Sequence, residues 1–202
     1  PWTYGLLTFL VAFQGFLGAL TVLNLLPSSV VVAHLAVAFT LVAIMSGVTQ
    51  QLLYPGKSIF PPWLRSIGFL SLLSVIGQSL LGSRVATSWA AHKCLNFGNS
   101  CNLLELHRLS AIPVSLLLIL FVIISFIKRD VFINEWPYFL MIIFLISSQI
   151  LLGVFSVQSG MSEPALIVGH QLIACLLVSV ISALNFKGRG FDKSSQSLFI
   201  TE

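Results

Sequence analysis

The chain has 202 residues and a net charge of +4, and 57% of its residues are hydrophobic while only 8% are charged. A soluble domain carries roughly a quarter charged residues, so this composition, with a mean hydropathy of +1.01, excludes a soluble globular protein and indicates an integral membrane protein. The few basic residues fall mainly in short loops and the tail, and nothing in the sequence indicates a nucleic-acid-binding surface.

Six apolar stretches follow one another along the chain, each long enough to cross a hydrocarbon core of about 30 Å as a helix. They are uninterrupted, which is typical of helices and not of the alternating strands of a membrane barrel. The predicted fold class is therefore all-α, a polytopic membrane helical bundle. The predicted helices span residues 2–24, 29–52, 66–87, 104–127, 138–158 and 164–186.

A glutamine-to-histidine block occurs twice at nearly the same spacing. Gln14 begins the sequence QGFLG and is followed on the next predicted helix by His34, while Gln149 begins QILLG and is followed in the same way by His170. The two spacings differ by a single position, so the glutamines and the histidines of the two copies have nearly the same offset. A histidine inside a membrane is costly unless it binds something, so the repeat predicts a binding site and two related halves.

The pattern Q-x-x-L-G occurs a third time, as QSLLG from Gln78. In each copy the glutamine and the last glycine are one helical turn apart and share a helix face. Glycine there allows either a flat macrocycle or a neighbouring helix to come close to the backbone. Because two copies precede a histidine, we favour the lining of a pocket.

Charge in the connections predicts the topology. The connections 53–65 and 128–137 and the tail carry lysine and arginine, whereas the turns near Pro27 and at 159–163 carry neither. By the positive-inside rule the first group faces the cytoplasm, as does the C-terminus, and the turns face outward.

On this topology the three intramembrane histidines all lie in the outer half. From the helical rise per residue, His34 and His170 lie about 8–9 Å below the outer ends of their helices, and His107 lies near the outer end of the fourth. Histidines of neighbouring helices at matched depth favour axial ligation of haem iron. Zinc is disfavoured because carboxylates and thiolates are scarce at that depth. A structural or transport role is the alternative.

Several residues near the outer boundary have two interpretations each. Arg84 and Arg108 suit pairing with haem propionates, or they extend to lipid headgroups. Glu105 either orients His107 or is a solvated carboxylate, and His92, in the outer loop, is interpreted as a surface residue.

The predicted outer loop 88–103 contains two cysteines, Cys94 and Cys101. In an oxidising compartment a pair this close along the chain favours a disulfide. A metal or haem-attachment pair is the alternative, although neither C-x-x-C nor C-x-x-C-H occurs. Cys175, in the middle of a helix, is interpreted as core packing.

Together these motifs carry a resemblance to a known family. The stretch QSLLGSRVAT from Gln78, the pair Cys94 and Cys101, and ELHRLSA from Glu105 resemble the carboxy-terminal half of haem A synthase, and the similarity covers about residues 5–185. That family is an eight-helix pseudo-symmetric membrane protein with a histidine pair in each half. It oxidises a methyl group of haem O to a formyl group, and the product, haem A, serves terminal cytochrome oxidases.

The resemblance implies roles for individual residues. His107 and His170 match the ligands of a haem b cofactor, and His34 matches one of the substrate-side pair. Cys94 and Cys101 match the outer cysteine pair of the second half. The predicted organisation is a remnant of the amino-terminal half at 1–52, a four-helix bundle at 66–186 and a polar cytoplasmic tail at 187–202.

The chain departs from the family in its first half. Two helices with a Glu-x-x-His-Arg motif and a second outer loop are absent, and with them the partner of His34. We therefore expect a fragment of an eight-helix parent that is not a competent enzyme alone. A naturally short six-helix protein is the alternative.

The resemblance also bears on partners and location. The compact loops favour a bacterial plasma or internal energy-transducing membrane, with a mitochondrial membrane as the alternative, and the charge pattern predicts that the haem side faces outward. Haem O synthase, oxidase assembly factors and a second copy of the chain are candidate partners, and the sequence does not identify the electron acceptor. The alternative functions are a bis-histidine membrane cytochrome b acting only in electron transfer, and a transporter built from repeats.

Overall fold

The computed structural model describes residues 2–54, 60–87 and 102–188, without the side chains of Trp2 and Thr3. These residues form helices and turns and contain no strand, which confirms the all-α prediction. All six helices are long and apolar enough to cross a membrane, so the protein is an integral membrane protein. They are α1 (Trp2–Leu23), α2 (Ser28–Leu53), α3 (Pro62–Thr87), α4 (Asn102–Ile127), α5 (Arg129–Gln158) and α6 (Pro164–Phe186).

Helix α5 begins at Arg129, more than two turns before the predicted start at 138. A proline removes a backbone hydrogen bond and usually marks the end of a helix. In the structure Pro137 lies inside α5, and Val131 and Phe139 are buried on either side of it. Burial of both flanking turns against the bundle therefore outweighs the local penalty.

Helices α3 to α6 form a closed ring. Each packs on the next along the chain, and α6 packs back on α3. Within the described ranges the diagonal pairs α3–α5 and α4–α6 do not pack directly, so these four helices surround an axis as in a four-helix bundle. Helix α2 packs outside this ring on α3 and α6, and α1 packs on α2 alone.

Small side chains and hydroxyl groups bring α2 and α6 together. Ser182 donates to the carbonyl oxygen of Ala43 at 2.6 Å, and Ser46 donates to the carbonyl oxygen of Ser179 at 2.8 Å. Gly47 lies against the ring of Phe186, where an added Cβ would come within 2.9 Å. Close approach and interhelical hydrogen bonds are what hold helices together where lipid supplies no hydrophobic drive.

The two turns that lead into α2 and α6 share one geometry. The amide of Leu26 donates to the carbonyl oxygen of Thr21 at 2.8 Å, and the amide of Met161 donates to that of Ser156 at 2.9 Å. Each bond joins residues five positions apart, as in the Schellman motif, which ends a helix with left-handed backbone. The offset between the two donors equals the offset between the glutamines of the repeated block. The repeat seen in the sequence is therefore also a structural repeat, with α1–α2 equivalent to α5–α6.

An ion pair ties the opposite end of the molecule together. Lys187 Nζ lies 2.8 Å from Glu135 Oε2 and 4.6 Å from the ring centre of Tyr54. Glu135 is only 3% exposed. Lys187 is the first residue of the predicted polar tail, yet this contact joins the end of α6 to α2 and α5.

Candidate functional site

Each of the three described histidines lies against the glycine that ends a Q-x-x-L-G block. The pairs are Gly18 with His34, Gly82 with His107, and Gly153 with His170. A Cβ added to Gly82 would come within 2.8 Å of Cε1 of its histidine, and at the other two glycines the distance to Cε1 is 3.2 Å. Only glycine lets the imidazole lie this close to the neighbouring helix. In all three pairs the glycine is on the odd-numbered helix and the histidine is on the next helix.

The sequence did not indicate which histidine belongs to the third block, which begins at Gln78. Gln78 and His107 are farther apart along the chain than Gln14 and His34, because the connection between α3 and α4 is longer than the two tight turns. A search for the repeat would find this third pair only if it allowed the connection between the two helices to vary in length. The glycines were predicted to admit either a macrocycle or a helix, and in the structure they accommodate the histidine itself.

The glutamines of the blocks contact the same rings. Gln14 Nε2 lies 3.2 Å from Nε2 of His34, and Gln78 Nε2 lies 3.1 Å from Nδ1 of His107. Gln78 Nε2 also donates to the carbonyl oxygen of His107 at 2.7 Å, and Ser110 Oγ donates to Gln78 Oε1 at 2.8 Å. The sequence pointed to the glutamines as part of the repeated blocks, but it indicated neither their contacts with the histidine rings nor a role for Ser110.

Buried polar atoms without partners recur at equivalent places of the two repeats. Within the described part of the chain, Nδ1 of His34 and Nδ1 of His170 are buried and make no hydrogen bond, and the same is true of Oε1 of Gln14 and Oε1 of Gln149. A buried polar atom left unpaired costs about 1–3 kcal/mol. Two matched sets point to a ligand that both sites are built to receive.

His107 and His170 belong to one bundle. They lie on the diagonal helices α4 and α6 of the four-helix ring, each within the first two turns of its helix. All three histidines fall within the first two turns of their helices, so they lie at one end of the molecule. His34, on α2, lies outside the ring and faces α1. The structure therefore brings two of the predicted ligands together and separates the third.

The predicted boundary residues are exposed. Arg84 lies in the last turn of α3, while Glu105 and Arg108 lie in the first two turns of α4, all at the histidine end. His107 is hydrogen-bonded to Gln78, so the orienting partner is a glutamine rather than Glu105. His92, Cys94 and Cys101 lie outside the described residues, and the disulfide stays a prediction. Cys175 is a free cysteine packed against the core.

A haem fits the donor set at these positions. Two imidazoles on diagonal helices of an apolar four-helix bundle are suited to axial ligation. Nδ1 of His170 has no hydrogen-bond partner within the described residues, and Gly82 and Gly153 leave room beside the two imidazole rings. Both features suit a bound haem. Exposed arginines at the same end are available for anionic substituents.

Fold and site together define a polytopic membrane protein built from repeated helix pairs, each presenting a histidine from its second helix. Comparison with family models identifies its family: residues 1–182 match the COX15-CtaA model, described as cytochrome oxidase assembly protein. The chain belongs to this family, which confirms the resemblance to haem A synthase. Searches of curated proteins and of solved structures gave no match.

Proposed function

We propose that the chain belongs to a haem A synthase, which oxidises one methyl group of haem O to a formyl group for use in terminal cytochrome oxidases. Membership of the cytochrome oxidase assembly family supports a role in that process. The observation that carries the proposal is the contact between glycine and histidine in three successive helix pairs. It supports haem-ligating histidines in both halves, as a synthase with one cofactor haem and one substrate haem needs.

The cofactor is haem b, held between His107 and His170. When bound, haem b would supply one-electron transfer, with His107 and His170 as the residues that would hold it. The chain's own residues exclude water through the apolar bundle and fix the two rings against Gly82 and Gly153. Arg84 and Arg108 pair with the propionates at the outer boundary.

The substrate, haem O, binds at the first repeat, where His34 faces Gln14 and Gly18. Helix α1 packs only on α2, so this half offers one helix pair where the second half has two. A groove of about 410 Å³ lies between α2 and α6 and is lined by Ser46, Gln50 and Ser179, among others.

The histidine end faces outward and the C-terminus faces the cytoplasm of a bacterial energy-transducing membrane. The basic residues Lys128, Arg129 and Lys187 support this orientation, because they lie at the ends of helices away from the histidines. Haem O synthase and oxidase assembly factors are the partners that this position in oxidase assembly favours.

A membrane cytochrome b that only transfers electrons is the second candidate. The equivalence of His34 and His170, each with an unpaired Nδ1 in the described structure, favours two similar haems rather than a cofactor and a substrate. Product analysis separates the two functions. Cells that supply haem O and express the full-length protein accumulate haem A if it is a synthase, whereas a pure electron carrier leaves haem O unchanged.

The cofactor site is tested by absorption and pyridine-haemochrome spectra of the detergent-purified chain. We expect a reduced b-type spectrum that is lost in His107→Ala and in His170→Ala. His34→Ala is the matched control and retains the spectrum, since the imidazole of His34 lies outside the four-helix bundle of α3 to α6. A wild-type chain that folds but takes up no haem would contradict the assignment.

A further inference from the structure

Gln78 is held more firmly than the equivalent glutamine of the first repeat. Its amide nitrogen donates to the carbonyl oxygen of His107 at 2.7 Å, and its amide oxygen accepts from Ser110 Oγ at 2.8 Å. The same nitrogen lies 3.1 Å from Nδ1 of the His107 ring. The single proton of the Ser110 hydroxyl also has the carbonyl oxygen of Leu106 within reach, at 2.7 Å, so Ser110 can either donate to the amide of Gln78 or accept from it. The amide thus lies between the His107 ring and Ser110. Ser110 lies one turn after His107 on α4, so the arrangement is built from two helices only.

The first repeat lacks this support. Gln14 Nε2 makes one contact, at 3.2 Å, and it is with Nε2 of His34 rather than with Nδ1. Oε1 of Gln14 and Nδ1 of His34 are buried and have no partner within the described residues. The ring of His34 is therefore held at one nitrogen by a glutamine that is itself only partly fixed.

The two arrangements differ in the nitrogen that remains for a metal. A metal-ligating histidine uses one ring nitrogen for the metal and hydrogen-bonds through the other, and this outer partner sets the orientation of the ring. In His107 the nitrogen that remains is Nε2. In His34 Nε2 is already in contact with Gln14, which must give way before that nitrogen can bind iron.

This inference rests on the proposed function. We propose that Gln78 and Ser110 are positioning residues for the cofactor haem, holding His107 through Nδ1 so that Nε2 is presented to iron. Iron at Nε2 requires the proton on Nδ1, so the amide must turn by half a rotation for its oxygen to accept from Nδ1–H. Its nitrogen then donates to Ser110 Oγ, which donates to the carbonyl oxygen of Leu106 at 2.7 Å, and the bond to the carbonyl oxygen of His107 is given up. His34 lacks this support, and so does His170, whose Nδ1 is also without a partner within the described residues. The support is therefore particular to one of the two cofactor ligands.

Haem transfer to excess apomyoglobin and electron paramagnetic resonance of the ferric protein test the proposal. Gln78→Leu removes all contacts of the amide, and we expect haem b to be lost about 10–100 times faster, the range typical for loss of an outer-shell partner. The largest g value should also shift, since it reports the relative orientation of the two imidazole planes. Gln158→Leu, an exposed glutamine at the end of α5, is the matched control and should change neither quantity.

A second pair of variants separates positioning from folding. Ser110→Ala removes the hydroxyl and should change the g value in the same direction as Gln78→Leu, while Ser110→Thr keeps the hydroxyl and should restore the wild-type signal. Wild-type g values and haem loss in both Gln78→Leu and Ser110→Ala would overturn the positioning role and leave the haem site intact. A wild-type chain with no haem signal would overturn the proposed function as well.

Discussion

The space beside each histidine ring is set by a single missing side chain. At Gly82 an added Cβ would lie 2.8 Å from Cε1 of His107, and the atom that must move belongs to a rigid ring held by Gln78. Gly77 is on the same helix and has nothing within 4 Å of the corresponding position. The two glycines therefore differ in their surroundings but not in helix propensity.

Gly82→Ala should lower haem b affinity by about tenfold or more, since it pushes the His107 ring away from its hydrogen bond. Gly77→Ala should leave affinity unchanged and raise stability slightly, because alanine favours a helix over glycine by about 1 kcal/mol. Haem titration followed by absorbance measures both. Equal affinities of the two variants would show that the close contact does not position the ring.

The histidines themselves were predictable, whereas their partners were not. The sequence draws attention to His34, His107 and His170 because the surrounding residues are apolar. A histidine inside a membrane is costly unless it has polar partners or a ligand. The contact between Gln78 and Ser110 joins side chains far apart in sequence on two different helices. Glutamine and serine are ordinary in membrane helices, so nothing in their identity indicates which ring or which helix they contact.

At the scale of elements, the two equivalent turns differ in the residues that adopt left-handed backbone. Gly160 has φ of +65° after α5, and the equivalent residue after α1 is Leu25, with φ of +55°. A side chain in this region costs about 1–2 kcal/mol, and glycine avoids that cost. Leu25 is 91% exposed, so its side chain contributes little by burial.

Leu25→Gly should therefore stabilise the protein by about 1 kcal/mol and raise its unfolding temperature in detergent. Leu23→Gly is the control, since Leu23 is also exposed but has helical backbone at the end of α1. It should destabilise by about 1 kcal/mol. A lower unfolding temperature for Leu25→Gly, measured by circular dichroism, would mean that the leucine makes a contact that outweighs its backbone strain.

All six helices were predictable because a membrane leaves the backbone few alternatives to helix. Their ends were less so, as α5 shows. The predicted start of α5 was at 138, but its first two turns are held by burial of Val131 and Glu135 against the bundle. Such burial depends on neighbouring helices and cannot be seen within the segment.

At the scale of the whole molecule, the two ends have different tasks. The histidines gather at one end, and the contact between Lys187 and Glu135 closes the other. Lys187 also lies 5.4 Å from the ring centre of Tyr138, whose hydroxyl accepts from Gln50 Nε2 at 2.6 Å. Because Gln50 is on α2 while Tyr138 and Glu135 are on α5, this cluster links the first repeat to the second-half bundle. The polar network thus holds the two halves together far from the proposed haem.

Glu135→Gln should destabilise the protein without disturbing the haem site. Removing one partner of a buried ion pair costs about 3–5 kcal/mol, and the lower end of that range applies because the Lys187 side chain is 21% exposed. Glu163→Gln, at the exposed N-cap of α6, is the matched control and should have little effect. We expect a lower thermal unfolding temperature for Glu135→Gln alone, with the b-type spectrum and haem loss rate of both variants unchanged below the transition. A loss of haem at temperatures where Glu135→Gln is still folded would show that the two ends of the bundle are coupled, contrary to this division.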